Sequence, residues 1–389
     1  MPNCIVGVLK EVAPGNRSVA LTPKDAAKLT NIDATVFVES GAGYEASFSD
    51  SEYIEHGALV AKTAEDVWGN SDIIVKIEPP RLEEYELLGH ASEKVLFSYL
   101  NLGSKPAELT RALLRSDITA VACEAICTFS GGRWIRPILD PFLSMVGREA
   151  MRAALARHGF DKDLNFLNVV IIRGGIVGES ALRRALERRA FVVLFEEDEK
   201  RIRELKKKYR RAHVFILPLA TLQENIGQEY VRSSDVVIIS APESGDGTPP
   251  SIVLTGKQLG RIKQGCYIAD TSVEQGGSTA WTNTSATIHG EVFKKGSRDL
   301  VFSATSYLPC QIAPSEVSIA HSAAILPYLR EIAPEIMRAA GGAYTALRDY
   351  VELRNSLQTY QGFLTNKNLA HHHKLEEHHV PMQRLIYGG

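Results

Sequence analysis

The sequence predicts an α/β protein made of two doubly wound parallel-sheet domains, one inserted into the other. Three observations predict it. Short apolar runs alternate with helix-patterned stretches over residues 1 to about 138, and again from 168 to about 309. The pattern turns helical from about 314 through 357. Strand-then-helix spacing of this kind specifies parallel sheets.

The runs "CIVGVLK", "ATVFVE", "DIIVKIEP", "KVLFSYL" and "ITAVACEAI" read as the strands of the first unit. A helical stretch follows, "PFLSMVGREAMRAALARHG" (141–159), then the polar loop "DKDLN". The runs "NVVIIRGG", "FVVLFEE", "HVFILP", "DVVIIS" and "CYIADTS" build the second unit. We therefore expect residues 1–138 and 310–389 to form a discontinuous domain, with 139–309 inserted. Doubly wound sheets take ligands at the carboxyl ends of their strands, which places the expected site in a cleft.

Bulk properties exclude several classes. The 389 residues are 44% hydrophobic and 23% charged, with a net charge of −2 and a pI of about 6.6. No basic surplus argues for nucleic acid or an anionic membrane surface. No apolar run reaches a membrane span, and the opening "MPNCIVGVLKEV" is too short for a signal peptide. Cysteines 4, 123, 127, 266 and 310 are dispersed, as reduced packing thiols of a cytoplasmic protein would be.

The stretch "NVVIIRGGIVGESALRRALERRAFVVLFEEDEKR" (168–201) carries the chemistry. Its order is strand, glycine turn, helix, strand, acid, the signature of a Rossmann-like dinucleotide-binding unit. The G-x-G-x-x-G frame falls on Arg173, Gly174, Gly175, Ile176, Val177 and Gly178. Gly175 lets the backbone approach a diphosphate, Gly178 lets helix pack on strand, and the helix amino end offers free N–H groups. Arg173 stands where the first glycine makes the turn, and Gly174 is expected to absorb the turn instead. Glu196 lies about 20 residues on, where an acid accepts from the adenosine ribose; an acid there favours NAD(H) over NADP(H). Arg201 is expected to flank the adenosine. Ser240 and Ala241, and Ser272, Val273 and Glu274, follow two further strands and complete the expected cofactor site. A degenerate unit that no longer binds nucleotide is the open alternative.

Several segments together resemble the alanine dehydrogenase/nicotinamide nucleotide transhydrogenase family, which includes lysine-forming saccharopine dehydrogenases and carboxyethylornithine synthases. They are "VGVLKEVAPGNRSVALTP", "VESGAGYEASFSDSEYIEHGA", "DIIVKIEPP", "VLFSYLNL", "MVGREA", "DTSVEQGGS" and "ILPYL". The resemblance covers about residues 1–330, and the segment after about 355 lies outside it. It implies an NAD-binding domain inserted in a substrate-binding domain, an amino-acid or keto-acid substrate, and a homodimer or higher homo-oligomer.

Carried over residue by residue, the resemblance also shows departures. The arginine that pairs with the substrate carboxylate falls on Ser18, with Arg17 one residue before it. Lys76 matches the family's first lysine. The catalytic lysine of the dehydrogenases falls on Glu78, and their acid–base histidine on Asn101, which cannot transfer a proton at neutral pH. The acid beside the nicotinamide falls on Glu274. Glu78, Glu124 and Glu274 are the candidates to replace the lost pair, with a structural ion-pair role the alternative for each.

This argues for an NAD(H)-dependent oxidoreductase acting on the C–N bond of an amino or imino acid, opine- or saccharopine-like, and against simple alanine dehydrogenation. Three alternatives remain. One is a lyase or cyclodeaminase holding NAD as an internal shuttle. Another is a non-catalytic NAD- or amino-acid-binding protein. A transhydrogenase subunit is disfavoured by "GGRWIRPILDPFLS", which lacks that subunit's Gln and acid. The segment "NLAHHHKLEEHHV" would, if helical, put His372, Glu376 and His379 on one face. Surface solvation, rather than a metal, is the reading for it.

Overall fold

The computed structural model describes residues 4–387 except 33, 90–93, 159–166, 241–249, 283–291, 296–298, 304–306 and 339–349. The chain forms two compact units, Met1–Phe142 with Ala313–Gly389, and Leu143–Ile312.

The first unit is built on β1 (Ile5–Val8), β2 (Thr35–Glu39), β3 (Leu59–Ala61), β4 (Ile73–Val75), β5 (Val95–Ser98) and β6 (Thr119–Ala122). A hairpin follows, β7 (Thr128–Ser130) with β8 (Arg133–Ile135). The second unit carries β9 (Asn168–Ile172), β10 (Phe191–Glu196), β11 (Val214–Pro218), β12 (Val236–Ile239), β13 (Tyr267–Asp270), β14 (Val292–Lys295) and β15 (Leu300–Ser303). The chain then returns to the first unit and adds β16 (Leu357–Tyr360) and β17 (Phe363–Leu364).

Sheet order in the first unit is β17-β16-β6-β5-β4-β1-β2-β3, parallel except where β16 pairs with β6 and β17. In the second it is β11-β10-β9-β12-β13-β15-β14, parallel except for β14 with β15. The winding direction reverses between β1 and β4 in one sheet and between β9 and β12 in the other. Such switch points are where strand ends part and leave a crevice.

Apolar runs without polar alternation form these strands because both sheet faces are covered. In the second unit Val169, Ile171, Val192, Leu194, Val236 and Ile238 fill one core, while Val170, Ile172, Val193, Phe195, Val237 and Ile239 fill the other. Successive side chains alternate between faces, so one continuous run feeds two cores. The helix Leu139–Arg157 packs on the helix Ile176–Glu187 where a Cβ on Gly147 would strike the carbonyl of Val177. That contact explains the glycine of "MVGREA".

The helix Pro314–Arg338 continues through Pro327 and Pro334. Ser318 and Ser322 on it accept from the amides of Val19 (2.9 Å) and Thr22 (3.0 Å), tying it to the loop after β1. Helical structure ends at Ser356 in this region, and the chain then enters strand and hairpin rather than a tail apart from the fold.

Candidate functional site

In the second unit the strand ends gather the glycine turn, Glu196, Ser240 and the "DTSVEQGGS" loop. Arg173 itself adopts the left-handed conformation, at φ +69°. The expectation that Gly174 absorbs the turn is therefore wrong, since Gly174 has no positive φ. Gly174 is needed for space: a Cβ there would lie 2.6 Å from Cδ1 of Leu205 and 3.0 Å from Cδ2 of Leu194. Gly178 is needed for the same reason, because a Cβ would collide with the Arg173 carbonyl. Gly175 caps the helix that starts with Ile176 and Val177, and leaves its first amides free of any side-chain cap.

A non-glycine residue at this φ costs about 1 kcal/mol or more and persists only when its surroundings hold it. Arg173 is held at both ends. Its amide donates to the Phe195 carbonyl at 2.7 Å, and its carbonyl accepts from Ser240 Oγ at 3.1 Å. Its buried guanidinium donates to the Ser240 carbonyl (3.1 Å), Ser251 Oγ (3.1 Å) and Ser278 Oγ (3.5 Å), and Nε lies 3.3 Å from Glu197. The side chain thus crosses the switch point between β9 and β12.

Glu196 ends β10 with its carboxylate against the glycine turn. One oxygen accepts from the amide of Gly174 at 2.6 Å; the other accepts from Glu197 (2.7 Å) and Asp198 (3.0 Å). Three of about four lone-pair sites are used, which leaves one for a ribose hydroxyl. Arg201 does not stand free beside this acid. Its Nε donates to the Gly174 carbonyl at 2.8 Å, and its guanidinium pairs with Glu179. Burial alone would raise the Glu179 pKa, but bonds from Lys208, Arg201 and Tyr209 hold it at about 2.

The last loop folds around Asp270, which is fully buried and which sequence reasoning missed. Its carboxylate accepts from the amides of Ser272 (3.0 Å) and Ser278 (2.9 Å) and from the hydroxyls of Ser272 and Thr282. Ser272 also meets Ser278 at 2.8 Å, so the loop joins the partners of Arg173. Val273 is half-buried on the short turn that follows. The Glu274 side chain and Ala241 lie outside the described residues.

In the first unit Glu78 is buried at the end of β4 and accepts from Asn16 Nδ2 at 3.0 Å. The Oδ1 of Asn16 in turn accepts from the amide of Ser18 at 3.0 Å and from its hydroxyl. Asn16, also missed, therefore links two of the three departures. Arg17 does not join them; its side chain is 51% exposed and lies 3.5 Å from Glu45. Lys76 is fully buried, with Nζ 2.8 Å from Glu84 and 3.8 Å from Glu11. Burial disfavours its charge, but Glu11 and Glu84 outweigh that and raise its pKa, so it stays a cation. This geometry makes Lys76 the counter-ion of Glu84 and Glu11.

Asn101 follows β5 in the left-handed conformation, at φ +46°. Its amide donates to Glu124 at 2.6 Å, and the amide of Leu100 does so at 3.1 Å. Burial pushes Glu124 up to about 7 against these bonds. His321, on the helix Pro314–Arg338, packs its ring 5.4 Å from that of Tyr99 and has no hydrogen-bond partner among the described residues. Burial lowers its pKa to about 4, so it is neutral. A histidine inside an apolar helical pattern was its only signal in the sequence.

The helix carrying the histidine cluster, Lys367–His373, ends at Lys374. His372, Glu376 and His379 therefore do not share a helical face; Glu376 pairs with His371 at 2.9 Å. No cluster able to hold a metal ion occurs among the described residues.

Two doubly wound sheets, a glycine turn on a helix amino end and an acid closing the next strand define a dinucleotide-fold protein. The chain belongs to the alanine dehydrogenase/PNT family: its residues 7–139 match the N-terminal domain and 162–367 the C-terminal domain. The match extends beyond residue 330 and takes in the β16–β17 hairpin. The family uses NAD(H). The chain is 29% identical to the alanine dehydrogenase of Staphylococcus saprophyticus, over 94% of this chain and 96% of that protein. It is 29% identical to that of Bacillus subtilis, over 98% and 97%. A solved L-alanine dehydrogenase superposes with a TM-score of 0.78 at 26% identity, covering 95% and 98%. A transhydrogenase from Sinorhizobium meliloti shares the fold, with a TM-score of 0.72 at 20% identity over 93% and 99%. These similarities indicate an NAD-dependent amino-acid dehydrogenase, an oxidoreductase of CH–NH bonds. No described helix is long and apolar enough to cross a membrane.

Proposed function

We propose that the chain is an NAD(H)-dependent oxidoreductase whose substrate is an amino or imino acid with a C–N bond at the reacting carbon. The carrying observation is the Gly174–Glu196 bond, 2.6 Å, which sets an acid beside the glycine turn as a dinucleotide ribose requires. Gly175 and the amino end of the helix Ile176–Glu187 would take the diphosphate, Glu196 the ribose, and Ser240, Ser272 and Val273 the far end. The residues fit at the adenosine and diphosphate end; among the described residues Arg173 is a side chain that has to move or make contact there. When bound, the nicotinamide supplies hydride exchange.

Two of the acid–base candidates, Glu78 and Glu124, lie in the first unit. A new amine needs a proton as it forms, and Glu124, at about 7, holds one near neutral pH. Asn101 orients a carbonyl or imine without exchanging a proton. Glu78, buried and bonded to Asn16, favours a substrate group that carries hydrogen-bond donors, such as an amine. Glu78 and Ser18 thus support a substrate other than alanine, opine- or saccharopine-like. The names of the relatives speak for alanine instead. NADH oxidation screened against keto acids, each with ammonia and with diamino acids, decides between them. No turnover together with tightly held nucleotide would favour the internal-shuttle lyase, and binding of NADH without any reaction a sensor.

Homo-oligomerisation is part of this proposal. The β7–β8 hairpin supports it by exposing Phe129 (60%) and Trp134 (68%), aromatics that are usually covered. A cytoplasmic location is proposed from the five cysteines, which lie dispersed along the sequence.

A further inference from the structure

The histidine-rich segment reaches the loop that carries Asn101. Strand β16 joins the edge of β6, and β17 and a bridge from Leu364 to His379 turn the chain back. Asn366 caps the helix Lys367–His373 through the amides of Asn368 (3.0 Å) and Leu369 (3.2 Å). Leu369, Ala370 and Leu375 then enter the same core as Leu100 and Leu102. This seats His373 with its Nε2 2.9 Å from the carbonyl of Leu102, where only 7% of the residue is exposed. Since that carbonyl can only accept, Nε2 carries the proton.

Leu100, Asn101 and Leu102 are thus gripped from two sides, in addition to the bonds of the turn itself, where the Asn101 carbonyl accepts from the Ser104 amide (2.9 Å) and hydroxyl (3.0 Å) and the Leu102 carbonyl from the Lys105 amide (3.2 Å). Glu124 takes the first two amides, and His373 takes the last carbonyl. Between the grips Asn101 sits in the left-handed region, which asparagine tolerates better than most non-glycine residues yet less well than the right-handed and extended regions.

We propose that His373 is a positioning residue: its bond to Leu102 keeps Asn101 left-handed and so keeps the amides of Leu100 and Asn101 on Glu124. The proposal rests on the proposed function only for the use of Asn101 and Glu124, not for the grip itself. The groups facing His373 are His372, Arg111 and Glu108, and those facing Glu124 are Lys105 and Cys123. Burial lowers the His373 pKa, and Nε2–H donates to the Leu102 carbonyl whether the ring is neutral or protonated. The two amides hold the Glu124 pKa down against burial, so a slack loop lets it rise.

The test titrates Glu124 by carboxyl NMR in the full chain, with Glu124→Gln assigning the signal. His373→Ala should raise the Glu124 pKa by about one unit, and His373→Gln, which keeps a donor at the same reach, should restore it. If His373→Ala does not fold, His373→Phe fills the volume without a donor and should give the same rise. Leu375→Ala serves as the control, losing stability while leaving the titration in place. An unchanged Glu124 titration in the folded donor-free variant, whatever its Tm, overturns the proposal. None of these readouts needs NADH or substrate, so failure of the dehydrogenase reading would show separately as absent nucleotide binding or turnover.

Discussion

The guanidinium of Arg173 donates to the carbonyl of Ser240 at 3.1 Å, closing the switch point of the seven-stranded sheet from within. The eight-stranded sheet makes the same reach with the opposite charge. Glu11, beyond β1, accepts from the amides of Ile77 (2.6 Å) and Glu78 (3.2 Å), beyond β4. A parting pair of parallel strands leaves backbone groups without ladder partners. Each sheet answers with one long polar side chain from just beyond its first strand, at the place where a ligand would otherwise satisfy them.

Arg173→Gly and Arg173→Ala separate the backbone from the side chain. Glycine accepts φ +69° freely and alanine does not, so the glycine variant should be the more stable by about 1 kcal/mol in denaturant unfolding. Both should bind NADH more tightly than the wild type by titration, because the crevice is then open. A tenfold loss of affinity in both would instead give the guanidinium a direct diphosphate contact.

Glu196→Ala removes the acceptor of three amides as well as the ribose partner. NADH affinity should fall by about ten- to hundredfold, the scale of one charge-assisted hydrogen-bond pair. Calorimetric titration showing no loss would take Glu196 out of the cofactor site.

Glu179 ties the two helices that flank the glycine turn. Its pKa, about 2, lies below its unfolded value, so its contribution is present above about pH 4.5 and is lost as pH falls toward 2. Glu179→Gln should cost about 1–3 kcal/mol at neutral pH, and the gap to wild type should close in acid. A gap that stays constant down to pH 2 would show that the ion pairs with Arg201 and Lys208 contribute little.

Glu124 has the opposite sign. Its folded pKa, about 7, is raised, so its contribution is complete below about pH 4.5 and is lost as pH rises through 7. Wild type should therefore lose up to about 3 kcal/mol relative to Glu124→Gln between those limits. The pH–rate profile should lose an ionisation near 7 in the same variant. Parallel stability curves would remove the shifted pKa.

Glu78→Gln keeps a side chain of the same size against Asn16 but removes the charge. The kcat/KM should fall about tenfold or more, the scale of one lost charge-assisted hydrogen bond to the substrate, with NADH affinity intact. Unchanged kcat/KM would leave Glu78 a structural role.

Local pattern was enough for the α/β class and for ten of the strands, β1, β2, β4–β6 and β9–β13, because each depends on residues adjacent in the chain; the short strands β3, β7, β8 and β14–β17 carry too little pattern to be read this way. The apolar runs of "NVVII" and "FVVLF" are continuous because both faces are covered, and that is legible without a partner. The same local logic assigned the turn to Gly174, on the steric rule that arginine avoids positive φ. Tertiary structure decided otherwise: bonds to Phe195, Ser240, Ser251 and Ser278 outweigh the strain, and Leu205 claims the space that makes position 174 a glycine. Asn16 beside Glu78, Asp270 under its loop and His373 on Leu102 were beyond reach for the same reason. Their partners lie 62, 8 and 271 residues away, or turn on a fold of the loop that no periodicity encodes. Strand and helix are written in neighbouring residues, whereas the groups that set charge and position at a site meet only once the chain has packed.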